Sequence, residues 1–191
     1  RDDEVTGVVT RTDMIHLPPS IQTAERQYTT HLMEASIPAP LLTLIREIGE
    51  RASEAGYVIY FVGGIVRDIM LGQDIFDVDL VVEGDAIDLG RRLAAHYGGE
   101  VRSHSRFGTV KWLLPDDIWQ RVEEGPTDLR HTGNGGLPSF IDLVTARTEF
   151  YEHPTALPMV AESSIKQDLH RRDFTINTLA IRLDPQRWGE L

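Results

Sequence analysis

Two adjacent glycines, Gly63 and Gly64, stand twelve residues ahead of the triplet Asp77-Val78-Asp79, which lies inside an apolar run. A strand over 75–82 sends residues two apart to the same face, so the carboxylates of Asp77 and Asp79 stand side by side. Two unit charges ~4 Å apart repel by roughly 4 kcal/mol at an effective dielectric of about 20, a cost that a cation between them removes. Hard carboxylate oxygens suit magnesium, which takes one or two of them and fills its other positions with water and substrate phosphate. The plainer alternative is that one Asp ends the strand and the other faces water. Upstream, a strand leading through Gly63-Gly64 into a short helix leaves bare N–H groups and a positive helix end where a phosphate can dock. Arg67, one turn inside, reaches the same anion, and Asp68 is placed to orient a neighbouring basic group. Here too a plainer alternative stands, a tight strand-to-helix turn with a surface Arg67–Asp68 ion pair. A dinucleotide fold fits less well, because Gly-x-Gly-x-x-Gly is absent.

Those residues need elements to hold them. Leu41, Leu44, Ile45, Ile48, Ala52 and Ala55 recur at helical spacing and Gly56 follows as a C-terminal cap. The run 57–62 reads as a buried strand, a short helix through Ile65, Val66, Ile69 and Met70 stops at Gly72, and Asp85 caps a helix that Gly98-Gly99 ends. Further strands are expected around Val101, over 109–114 and over 140–145, and helices near 164–169 and 174–183. Pro115 to Pro138 is a long polar stretch with Gly133-Asn134-Gly135-Gly136 inside it, the mark of a functional or mobile loop. Pro18-Pro19, Pro38 and Pro40 bracket a polar segment that reads as a linker, able to hold a short helix.

Composition narrows the classes. The 191 residues are 41% hydrophobic, enough for one full core, and carry 19 basic against 30 acidic residues, a formal charge of -11. Such a balance argues against a domain that grips nucleic acid through a broad basic face. With no cysteine there is no disulfide framework and no Cys-ligated metal. The seven His are scattered without a His-x-x-x-His pair, so any metal falls to carboxylates. No apolar run reaches the ~18 residues of a membrane span, and a reducing cytoplasm is the expected setting. The start, Arg1-Asp2-Asp3-Glu4, reads as a cut from a longer chain.

Val62-Gly63-Gly64-Ile65-Val66-Arg67-Asp68, Phe76-Asp77-Val78-Asp79-Leu80-Val81-Val82-Glu83-Gly84 and Arg171-Arg172-Asp173-Phe174-Thr175-Ile176-Asn177 resemble the head domain of tRNA nucleotidyltransferases and bacterial poly(A) polymerases, in the DNA polymerase β nucleotidyltransferase superfamily. The likeness runs in order from about Leu41 to the C-terminus and takes in 107–111 and 142–147. Residues 7–15 are similar to the last strand and helix of a CBS module, which precedes the head in longer members. The division expected is therefore a CBS remnant over 1–16, a linker over 17–40 and a nucleotidyltransferase head over 41–191. The fold expected is α/β, a mixed sheet of about five strands with helices on one side.

The resemblance implies two-metal transfer of A, with C as a second nucleotide left open, from ATP or CTP to a tRNA 3′-end, with pyrophosphate released. It makes Asp77 and Asp79 the Mg2+ ligands and Gly63, Gly64 and Arg67 the holders of the triphosphate. Asp142 stands where the superfamily has a third carboxylate, with a packing role as the alternative. Arg147, Arg171, Arg172, Asp173 and Asn177 are implied to face the nucleotide, with Asp173 as cap of a helix. An Arg–Asp network that only locks helices together is the alternative there. The long loop falls where the family has a flexible loop implicated in A addition. Poly(A) addition, and a nucleotide-sensing module without turnover, are the rival functions; a small-molecule nucleotidyltransferase would have no reason to carry 171–177. The oligomeric state is left open.

Overall fold

Pro38 and Pro40 cannot sit inside a helix but suit the first turn of a new one, where the missing N–H groups have no partner to lose. The structure, a computed structural model, describes residues 28–75, 77–122, 137–150 and 159–191. It starts helix α2 at that point, Ala39–Glu54, after a short α1, Thr30–Ser36. Leu41, Leu44, Ile45 and Ile48 of α2 are fully buried, each worth roughly 1.5–3 kcal/mol relative to exposure. The chain leaves α2 through Gly56 at φ +80°, a left-handed turn that costs glycine nothing.

From there it builds β1 (Val58–Val62), α3 (Gly64–Met70), β2 (Asp79–Glu83), α4 (Ala86–Tyr97), β3 (Glu100–His104), β4 (Thr109–Leu113), α5 (Ile118–Val122), β5 (Phe140–Thr145), β6 (Arg147–Phe150), β7 (Met159–Glu162), α6 (Ile165–His170) and β8 (Ala180–Arg182). Six strands form one sheet in the order β3-β4-β5-β2-β1-β8, and β6 with β7 forms a separate pair. β2 and β5 at its centre run parallel, and every other pairing in it is antiparallel. Asp85 opens α4 by accepting the N–H groups of Ile87 and Asp88 at 2.8 and 3.0 Å. Among the described residues no helix is long and apolar enough to cross a membrane.

The α/β class and the mixed sheet are as expected, with six strands rather than about five. Ile59, Phe61, Leu80, Val82, Val110, Trp112, Ile141 and Leu143 all point to the face that α2 and α4 cover. The other face carries a smaller cluster, Tyr60, Val62, Val81 and Ala146, against Ile165 and Leu169 of α6. Helices therefore flank the sheet on both sides, not on one.

Three further differences have local causes. β2 begins at Asp79 rather than near Ile75, because the Ile75 N–H donates to the Ser36 carbonyl (3.2 Å) and that segment joins α1 before the sheet. The expected helix over 174–183 is a 3-10 turn, Thr175–Asn177, followed by β8. There Ile181, opposite Phe61, and Leu183 are buried with period two, and edge pairing with β1 outweighs local helix preference. Residues 28–40, read as linker, pack on the head: Met33 and Ile37 enter the main core, and the Thr29 N–H and hydroxyl both donate to the Gly189 carbonyl. The expected CBS remnant over 1–16, and 123–136 of the long loop, lie outside the described residues.

Gly49 lies where α2 crosses the chain leaving β8, and a Cβ there would run into the Leu183 carbonyl oxygen. Gly49→Ala is expected to lower unfolding free energy by about 1–3 kcal/mol in urea titration, the usual cost of overpacking. An unchanged midpoint would contradict this close approach.

Candidate active site

Strand alternation decides where the acids go. Val78 and Leu80 point into the core at 2% and 0% exposure, so Asp79 between them turns to the opposite, open face, and Asp77, exposed just before β2 begins, lines the same cleft. The parallel register sets Asp79 directly across from Asp142, and the antiparallel register sets Asp142 across from Lys111. The three side chains form a row over β2, β5 and β4. The Lys111 ammonium lies 3.0 Å from Asp142 Oδ2 and 3.4 Å from the centroid of the Phe140 ring.

This crowding shows in Asp79. Its carboxyl pKa is raised, first because the cleft walls remove part of its hydration, then because Asp142 and Asp77 are negative neighbours, while Lys111 opposes them. Among the described residues no three carboxylate, imidazole or thiol side chains converge into a ready-made metal cage. Two crowded carboxylates nevertheless suit a hard divalent ion that draws its remaining oxygens from water and phosphate.

The second half of the site surrounds the glycines. Gly63 caps α3 at φ +77° and ψ -121°, a conformation that L side chains rarely adopt. Its carbonyl accepts the Arg67 N–H at 3.0 Å and its own N–H donates to the Leu179 carbonyl at 3.0 Å, which ties the turn to the chain before β8. A Cβ on Gly63 would sit 3.1 Å from Arg172 Nη1 and 3.4 Å from the Asn177 carbonyl oxygen, and one on Gly64 would sit 3.7 Å from Arg67 Nη2. Two guanidiniums thus flank the glycine pair, with Arg67 held by Asp68 at 2.7 Å. A cleft of about 330 Å³ runs from Gly64, Ile65 and Asp68 to Asp74, Asp77 and Asp79. A neighbouring one of about 440 Å³ is lined by Arg102, His104, Thr109, Lys111 and Asp142. Asp79 lines both.

The expected site residues therefore fall into three groups. Asp77, Asp79 and Asp142 gather on the open face, and Gly63, Gly64, Arg67, Arg172 and Asn177 meet at the head of α3. Arg147 and Arg171 instead join a network with Asp168 and Glu149 at the base of α6. Arg147 is drawn to the Phe107 carbonyl at 2.8 Å and to Glu149 at 3.1 Å. Asp173 is exposed and caps no helix, since the 3-10 turn after it has Phe174 at its N-cap. The amide oxygen of Asn177 is buried without a hydrogen-bond partner among the described residues. Asp168 and Lys111, to which sequence reasoning gave no role, hold the arginines and Asp142. Asp168 precedes Arg171 and Arg172 by three and four positions, spacing that brings side chains together on a helix and its first turn beyond.

A mixed sheet with acids across its central strands, beside a glycine turn flanked by guanidiniums, defines an α/β domain of the nucleotide-transferring class. Residues 59–188 match the family described as the poly A polymerase head domain, and the chain belongs to that family. It is 35% identical over 204 residues to an A-adding tRNA nucleotidyltransferase of Geobacter sulfurreducens, with 99% of this chain and 21% of that protein aligned. A second A-adding tRNA nucleotidyltransferase, of Halalkalibacterium halodurans, is 36% identical over 160 residues, covering 84% of this chain and 33% of that one. The solved apo structure of a CCA-adding enzyme superposes with a TM-score of 0.68 at 35% identity, over 85% of this chain and 34% of the other. The chain thus spans a fifth to a third of the length of these relatives.

Because the folded pKa of Asp79 is raised, its contribution to stability is present at low pH, where it is protonated, and is lost as pH rises through that pKa. Asp79→Asn is therefore expected to raise the thermal midpoint at pH 8 and to change it little at pH 3. A midpoint lowered at pH 8 would contradict an electrostatic cost at this site.

Proposed function

We propose that the chain is the nucleotidyl-transferring head of an enzyme that adds A, with C as a second possible nucleotide, to the 3′-end of tRNA, drawing on ATP or CTP and releasing pyrophosphate. The observation that carries this reading is the juxtaposition of Asp79 and Asp142 across β2 and β5, with Asp77 beside them, facing a glycine turn between Arg67 and Arg172. The names of the two bacterial relatives support A as the nucleotide and tRNA as the acceptor.

In the reaction the RNA 3′-hydroxyl oxygen bonds to the α-phosphorus, the bond from that phosphorus to the β-phosphate bridging oxygen breaks, and the hydroxyl proton is lost. No protein nucleophile is required, so the residues position and neutralise. Asp77 and Asp79 would hold magnesium, which supplies charge neutralisation on the phosphates and a lowered pKa for the attacking hydroxyl. Gly63 and Gly64 present backbone without side-chain bulk to the triphosphate, and the Arg67 and Arg172 guanidiniums offset its charge. Lys111 offsets the charge of Asp142 beside Asp79. Arg67, Arg172 and Lys111 bring three of the chain's 19 basic residues to the site, against a formal charge of -11, and the remaining tRNA contacts fall to other parts of the enzyme. In keeping with the head family's description, poly(A) addition is the second reading, and product length separates the two.

With a tRNA ending in CC, ATP and magnesium, the expected product is one nucleotide longer, with one pyrophosphate released per addition. Asp77→Ala and Asp79→Ala are each expected to lower the rate on the order of 1,000-fold, as for loss of groups that stabilise transition-state charge. A ladder of many added A residues would favour poly(A) addition, and variants that retain the wild-type rate would reject the carboxylate assignment.

A further inference from the structure

Asp168 is the most deeply buried carboxylate in the described part of the molecule, at 1% exposure, and it lies outside the acid row. An ionised carboxylate so far from water is costly unless its lone pairs are filled. Here they are. Oδ1 accepts Arg171 Nε at 3.2 Å and Nη2 at 2.8 Å, together with the Arg147 backbone N–H at 3.3 Å. Oδ2 accepts Arg172 Nε at 3.2 Å and Nη2 at 2.9 Å. Each oxygen of the one carboxylate therefore takes both Nε and Nη2 of one guanidinium, a two-point hold that fixes the plane of each arginine.

What each arginine has left differs. Arg171 donates its Nη1 to Glu149 at 3.1 Å and shares its Nε with the Arg147 carbonyl at 3.0 Å, so all three of its nitrogens are engaged inside the network. Arg172 keeps Nη1 without an acceptor among the described residues, 3.1 Å from where a Gly63 side chain would begin. Because Asp168 fixes the plane of that guanidinium, it also fixes where Nη1 points.

We infer that Asp168 is a positioning residue that divides the two arginines, consuming Arg171 in the scaffold and presenting Arg172 to the triphosphate of the bound nucleotide at Gly63-Gly64. The inference rests on the nucleotidyl-transfer reading. It makes the paired arginines unequal, one a pin and the other a ligand arm, although they are neighbours in sequence.

The test combines ATP titration in the presence of magnesium with 15N NMR of the arginine Nε–H groups, on the wild type and on Asp168→Asn, Arg172→Lys, Arg171→Lys and the Asp168→Asn/Arg172→Lys pair. In the wild type both Nε–H signals are expected in slow exchange with water. Asp168→Asn is expected to lose that protection and to weaken ATP roughly tenfold, Arg172→Lys to weaken it by a similar factor, and the pair to add little beyond either. Arg171→Lys is expected to lower the melting temperature and leave ATP affinity within about twofold. Unchanged ATP affinity in a folded Asp168→Asn, full additivity of the pair, or equal ATP losses for the two arginine variants would each overturn the division. Should Asp168→Asn fail to fold, Asp168→Glu keeps the charge but displaces the grip, and normal ATP affinity in that variant would overturn it as well. A wild-type chain with protected Nε–H groups and no ATP binding would sink the nucleotide reading, and this one with it, before any variant is compared.

Discussion

The parallel pairing of β2 with β5 is the constraint on which the site depends. It is the one parallel contact in the six-stranded sheet, it lies at the centre, and its register sets Asp79 against Asp142. Parallel neighbours cannot be joined by a tight turn, so the chain must travel between them, and here the described part of the journey is α4, β3, β4 and α5. That crossover covers one face with α4, supplies β4 as the next strand and brings Lys111 beside Asp142. Placing like charges across a central ladder is unfavourable for the protein alone, and the Asp79 carboxyl pKa is raised first by burial and then by its negative neighbours Asp142 and Asp77. Sites that hold such strain offset it elsewhere in the fold, here through the apolar packing beneath Leu80, Leu143 and Ile141.

Two faces of one sheet then do different work. The face under α2 and α4 is continuous core, and the face that carries the acids stays open apart from α6 and its cluster. Period-two alternation is what separates them, since each strand residue that anchors the main core is followed by one on the opposite face, either in the α6 cluster, as Tyr60 and Val81 are, or in the cleft, as Asp142 is. The glycine turn joins β1 to α3 at the rim of that open face, and the chain entering β8 crosses behind it through Leu179 and Asn177. An edge strand thus does more than extend the sheet, because it carries the segment that braces Gly63.

Much of this was legible in the sequence, and for physical reasons. The Gly63-Gly64 and Asp77-Val78-Asp79 signals are local, and so are the Asp85 cap, the Gly56 stop and the apolar stripe of α2, all of which the structure contains. What was not legible depends on distant partners. The run 178–183 is too short for periodicity to separate strand from helix, and only its pairing with Phe61 decides. Asp168 reads as an ordinary helix-surface acid until the fold buries it under two arginines. Met33 and Ile37 sit in a polar, proline-bounded segment, so their place in the core becomes visible only once α1 docks. Asp142 was found by resemblance, but its partner Lys111 follows from register, which single-sequence patterns do not specify.

Nucleotidyl transfer at this cleft requires the acids and the glycine turn to act as one nucleotide site. Calorimetric titration of the chain with ATP and with CTP, with and without magnesium, beside the Asp77→Ala/Asp79→Ala double variant, asks this directly. Metal-dependent nucleotide binding that the double variant abolishes is the result expected. Binding indifferent to both metal and substitution would place the nucleotide elsewhere and contradict it.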